Sequence, residues 1–341
     1  MATGAAKSSV LGGALLVVGS CIGAGMLGLP IMTGLAGFFP SLLLFFVAAI
    51  FMTLTALLLV EIQQEFQDPV NLSTMCEFSL GKGGRFLCWI AYLFLFYALL
   101  VAYTALCGHH AALIFDQLFH LAVPEWAGSL FFVSLFGSVV YRGTRPVDLL
   151  NRLFMVFKII SYLGLIFICA QYIDSSLYSR VSFTYLLPAV PILITSFGFH
   201  NMVPSLVKYY GNNAKRVVFA ILLGALFTLI INLVWQIIAL GTIPFAGDNG
   251  LLSSYEGGMD AAQSMALVIS RPSITIFSSL LAFFAIITSF LAQGLSLVHF
   301  LQDVTQIKTS KDRESGVLIL LTFLPPLLIA ILGPNLFFLA P

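Results

Sequence analysis

The chain has 341 residues, of which 60% are hydrophobic and 9% are charged. A soluble globular chain carries about 25% charged residues, so the composition excludes that class and reads as one polytopic membrane domain over 1–341. The net charge of +1 does not identify a partner beyond the lipid bilayer, and no nucleic-acid partner is expected.

Paired catalytic carboxylates, an H-E-x-x-H pair and a nucleophile constellation are all missing from the sequence. This argues against an intramembrane enzyme. A channel is disfavoured because neither a filter motif nor a ring of charges is present. Cys21, Cys76, Cys88, Cys107 and Cys169 follow neither a metal nor a disulfide spacing. They read as small buried hydrophobes, and no cofactor or metal is expected.

Nine apolar runs fall at 9–30, 38–61, 86–108, 127–141, 154–173, 186–207, 215–241, 273–299 and 316–333, against the roughly 20 residues that span a bilayer. A tenth begins at Leu336-Phe337-Phe338. With a cytoplasmic N-terminus, thirteen of the fifteen Lys and Arg residues fall on cytoplasmic segments, and only Arg180 and Arg271 lie outside. The positive-inside rule asks for this bias.

The first run holds Gly19-Ser20-Cys21-Ile22-Gly23-Ala24-Gly25-Met26-Leu27-Gly28-Leu29-Pro30. Inside a helix a glycine costs about 1 kcal/mol and a proline about 3 relative to alanine. Freed backbone groups at membrane depth must find protein or a cavity to satisfy them. The stretch therefore reads either as a broken helix lining a site or as a packing helix with a Gly19-x-x-x-Gly23 face.

The second span, Phe38 to Ile62, reads as lipid-facing scaffold. Asn71 to Leu80 is expected as a short interfacial helix, with a hinge at Gly81-Lys82-Gly83-Gly84. The third span is aromatic, and Tyr97 at its middle needs a hydroxyl partner, so it is a candidate substrate contact. His109 and His110 cannot share a helix face, which argues against a metal site. Lys158 either snorkels to the inner interface or presents a titratable ammonium at depth.

The sixth span is interrupted by Pro188, Pro191, Gly198 and Pro204. Its centre, Thr195-Ser196-Phe197-Gly198-Phe199-His200-Asn201, carries polar groups that are costly unless they face a cavity. The seventh span reads as intact apart from Gly224. The eighth carries Thr288, Ser289, Gln293 and Ser296, either for interhelical hydrogen bonds or for a site. Interrupted first and sixth spans separated by four intact ones point to an inverted-repeat transporter with its site at two unwound helices. The repeats would cover about 9–175 and about 186–341.

Two stretches carry a resemblance. G-S-C-I-G-A-G-M-L-G-L-P at 19–30 resembles the first-span signature of the hydroxy and aromatic amino-acid permeases, and T-S-F-G-F-H-N-M-V-P-S-L at 195–206 resembles their sixth-span signature. The S-F-L run at 289–291 is a weaker match. The resemblance implies an all-α five-plus-five inverted-repeat fold of the amino-acid–polyamine–organocation superfamily. It also implies proton-coupled import of an aromatic amino acid, tyrosine first and tryptophan next, across the inner membrane.

On that basis the substrate carboxylate is expected at Gly23, Ala24 and Gly25, where helix amides and a positive dipole end suit an anion, with Ser20 a further substrate-binding candidate. The ammonium is expected at the carbonyls of Ser196 to Gly198, with Phe197 and Phe199 as a ring-stacking wall. Tyr97 and Ser289 complete the candidate contacts, and His200 and Lys158 are the candidate proton-coupling groups. The family usually has eleven spans, so a partial or inactive fragment is the alternative expectation, as is a permease for another neutral amino acid.

Overall fold

The computed structural model describes residues 9–211, 213–305, 307 and 314–333. Lys7, Lys308, Lys311, Arg313 and the tenth apolar run at 336–338, all used in the topology above, lie outside the described residues.

Every one of the nine apolar runs forms helix. The first is a pair, α1 (Val10–Cys21) and α2 (Ala24–Gly34), bent by 61° at the junction. Then come α3 (Phe38–Gln63), α4 (Leu72–Phe119), α5 (Glu125–Tyr141) and α6 (Thr144–Cys169). The sixth run is split into α7 (Val190–Ser196) and α8 (Val203–Tyr209), followed by α9 (Ala214–Thr242). Two short helices, α10 (Leu251–Glu256) and α11 (Ala261–Ile269), fill the long loop before α12 (Pro272–Thr305) and α13 (Gly316–Leu332). Among the described residues six segments are long and apolar enough to cross a membrane, seven with the bent pair, and α5 and α13 are shorter apolar helices. The chain is an all-helical, multi-pass membrane protein.

α3 shows why these helices belong in lipid. Phe39, Leu43, Ile50, Leu54 and Leu58 lie on its exposed face, while Phe45, Ala49, Met52 and Ala56 are buried on the other. A helix apolar on both faces suits a bilayer on one side and protein on the other. The short helix expected over 71–80 also forms. α4 is interrupted at Gly81 (φ 70°, ψ −168°), which separates a first segment from the long span. Only glycine adopts that backbone region without strain.

The chain forms two compact units, each drawing on both halves of the sequence. The first comprises Met1–Cys88 and Leu163–Ser278, the second Trp89–Tyr162 and Ser279–Pro341. In the first unit α1 packs along α9, with Gly224 against the Val17 side chain and Gly13 against the Tyr210 ring. The C-terminal end of α2 is strapped by the segment before α7. Ser182 donates to the Ala36 carbonyl at 2.8 Å, the Arg180 guanidinium donates to the Leu35 carbonyl, and it also lies 3.4 Å over the Phe245 ring.

Candidate functional site

The first break is a local consequence of Ile22-Gly23. Ile22 (ψ 86°) leaves the helix, Gly23 is extended (φ −138°, ψ −158°), and α2 starts at Ala24. A helix start has no intrahelical acceptors for its first amides, and it carries the positive end of the helix dipole. Ala24 and Gly25 supply the first-turn amides of α2. Ser20, one turn earlier, is exposed, and its hydroxyl donates to the Val17 carbonyl at 2.8 Å.

The second break follows Ser196. Phe197 to Phe199 leave the helix, His200–Met202 make a 3-10 turn, and α8 resumes with Pro204 near its start. Proline there has no N–H to give to the preceding turn.

The fold brings the two breaks together. A Cβ on Gly25 would stand 3.1 Å from Ser196 Oγ, and one on Gly28 would stand 2.9 Å from Ile192 Cδ1. The glycines of α2 thus serve close approach to α7. Ser196 is 2% exposed, and its hydroxyl has no hydrogen-bond partner among the described residues. Its neighbour Thr195 shows the ordinary alternative, donating to the Ile192 carbonyl at 2.9 Å. Leaving such a group unsatisfied costs about 1–3 kcal/mol.

The rings of Phe197 and Phe199 stand behind the break in the packed core. Phe197 meets Phe45 edge-on at 6.1 Å, beside Leu29, Met52 and Leu193. Phe199 lies among Val17, Cys21, Val203 and Leu206. Both are engaged in packing and hold the unwound segment in place. His200 is half-buried, with Nε2 2.8 Å from Thr55 Oγ1. The Thr55 hydroxyl also lies within hydrogen-bond reach of the Phe51 carbonyl, at 2.9 Å.

The other three candidates belong to the second unit. Lys158 does not snorkel. It is 1% exposed, and its Nζ donates to Thr288 Oγ1 at 3.2 Å. Thr288 passes its own proton to the Phe284 carbonyl at 2.8 Å. A buried ammonium is costly without such partners. Tyr97 finds its hydroxyl partner in the Leu321 carbonyl, at 2.8 Å. The reason lies in α13, where Pro325 cannot donate to the carbonyl four residues back. Ser289 is hydrogen-bonded with the buried Tyr103 hydroxyl.

One feature of the first unit is absent from the sequence reading. α9 carries Thr228, Asn232 and Gln236, all fully buried. Thr228 faces Cys21 at the end of α1. Gln236 Nε2 donates to Thr33 Oγ1 at 2.8 Å and to Ser41 Oγ at 3.0 Å, tying α9 to α2 and α3. Both polar atoms of Asn232 are buried without a hydrogen-bond partner among the described residues. The available signal was the spacing: three polar residues four apart mark one face of an otherwise apolar helix. No cluster of His, Cys, Asp and Glu able to hold a metal ion occurs among the described residues.

These features define a class: a multi-pass membrane protein whose first and sixth spans are both unwound, with the two breaks in contact. The chain belongs to the tryptophan/tyrosine permease family, whose model matches residues 6–340. It is 31% identical to the tyrosine-specific transport system 1 of Haemophilus influenzae, over 98% of this chain and 83% of that protein. It is 30% identical to the tryptophan-specific transport protein of the same organism, over 97% of this chain and 82% of that one. Identity to the low affinity tryptophan permease of Escherichia coli (strain K12) is 29%, over 96% of this chain and 81% of the relative. These relatives carry the names of transporters.

Proposed function

We propose that the chain imports an aromatic amino acid, tyrosine in the first instance, across the inner membrane by proton symport, with its N-terminus in the cytoplasm. The observation that carries the proposal is the contact between the two breaks, Gly25 against the unsatisfied Ser196 hydroxyl. A zwitterion needs donors for its carboxylate and acceptors for its ammonium, close together and shielded from water.

The start of α2, at Gly23, Ala24 and Gly25, with Ser20 one turn before, supplies the donors and the dipole. Ser196 and the backbone to Gly198 supply the acceptors, and Phe197 and Phe199 fix that backbone from behind. Lys158 and His200 are the groups assigned to carry the coupled proton. The burial of Lys158, with Nζ on Thr288 Oγ1, supports that role. In this reading 9–175 and 186–341 are two inverted repeats of one transporter domain.

Counterflow of labelled tyrosine into proteoliposomes holding unlabelled tyrosine tests the substrate. Accumulation under an imposed pH gradient, in sodium-free buffer, tests the coupling. The account predicts both. Counterflow driven by another neutral amino acid but not by tyrosine would overturn the substrate, and accumulation only with sodium would overturn the proton.

A further inference from the structure

The hinge in α4 creates a second feature, away from the broken spans. Across Gly81 the chain comes back alongside itself. Arg85 Nη1 donates to Glu77 Oε2 at 2.7 Å, and a Cβ on Gly84 would meet the Cys76 carbonyl oxygen at 2.9 Å. Cys88 follows Gly84 by one turn and so shares its helix face. There its thiol stands beside that of Cys76, close enough for the two to interact. Both thiols are free and partly exposed, whereas Cys21, Cys107 and Cys169 are buried. Neither takes any part in the proposed transport site.

We propose that Cys76 and Cys88 form a dithiol modification site that thiol oxidants convert to an intramolecular disulfide, pinning the segment 72–80 to the start of the third span. With diamide as oxidant, one thiolate adds to the N=N bond. The second attacks the sulfur so modified, the S–S bond forms, and the reduced hydrazine leaves. Two thiol protons and two electrons end on the hydrazine. Proximity across the hinge selects this pair, since the singly modified thiol is resolved by the nearest second thiol.

The test uses the purified full chain in detergent, treated with diamide, freed of reagent, denatured and titrated for thiols. The count falls from five to three and returns to five after reduction with a phosphine. Mass spectrometry of the unreduced digest shows the Cys76 peptide linked to the Cys88 peptide. C76S and C88S lose none of their remaining thiols. The proposal is overturned if five thiols survive diamide, if the loss persists in C76S, or if the linkage joins two chains on a non-reducing gel. Peptide mapping of the unmutated chain decides the matter by itself should either variant fail to fold.

Discussion

The two units meet the same difficulty, polar groups at membrane depth, in opposite ways. The first opens its backbone. Gly23 and the segment Phe197 to Phe199 leave the helix, so that helix ends and the Ser196 hydroxyl add to the polar stripe Thr228, Asn232 and Gln236 of α9. The second keeps long helices and delivers polarity through side chains, with Lys158 on Thr288 and Tyr97 on a carbonyl freed by proline. Fixed backbone dipoles suit a zwitterion that arrives and leaves. A side-chain ammonium suits a proton, because it can change charge without moving the backbone. Under the proposed function, binding falls to the first unit and coupling largely to the second.

The largest expected effect comes from closing the opened backbone. Gly25→Val places a branched side chain where even a Cβ stands 3.1 Å from Ser196 Oγ. Tyrosine uptake should fall by about 100-fold or more, the scale of a misplaced site, with an unchanged elution volume and helical circular dichroism. Normal uptake would remove the first break from the site.

Lys158→Met comes next and separates binding from coupling. Accumulation under a pH gradient should drop by at least about tenfold, the change for roughly 1.4 kcal/mol of lost driving interaction. Counterflow exchange should persist. Loss of both in a folded protein would make Lys158 structural, and loss of neither would exclude it from coupling.

Tyr97→Phe is smaller and corrects an assignment if it fails. It removes the bond to the Leu321 carbonyl, worth about 1 kcal/mol, and should lower the melting temperature slightly with the KM for tyrosine unchanged. A rise in KM with no thermal shift would instead make the hydroxyl a substrate contact.

What could be read from the sequence was local backbone chemistry. The breaks at Gly23 and Gly198 and the hinge at Gly81 each follow from glycine and proline placed where a helix cannot tolerate them. Groups whose meaning depends on a distant partner were not legible. The partner of Tyr97 exists only because Pro325, in another span, frees Leu321. Lys158 could equally have reached the interface, since its depth is set by what packs around it. Phe197 and Phe199 looked like a substrate wall because their polar neighbours suggested a cavity, yet their rings fill the core. The buried stripe Thr228-Asn232-Gln236 was visible as a spacing, but α9 looked intact because it lacks proline.

The smallest effect lies outside the membrane and serves as a control for both units. The Asp174 side chain accepts from the Ser176 amide at 2.9 Å, and hydrogen bonding to Ser176 holds its carboxyl below the ordinary carboxylate value. A lowered folded-state value contributes stability above the unfolded value and loses it as the pH falls through the folded value. Asp174→Asn should therefore melt slightly lower than the parent at neutral pH, with the difference vanishing in acid and transport unaffected. A difference that grew in acid would contradict the cap.

The central claim is that the paired breaks hold the substrate, and density for bound tyrosine tests it most directly. In a structure determined with saturating tyrosine, the account places the carboxylate within hydrogen-bond distance of the Ala24 or Gly25 amide, with the ammonium beside Ser196. Ordered tyrosine bound elsewhere, with Gly25 still against an unsatisfied Ser196, would contradict it.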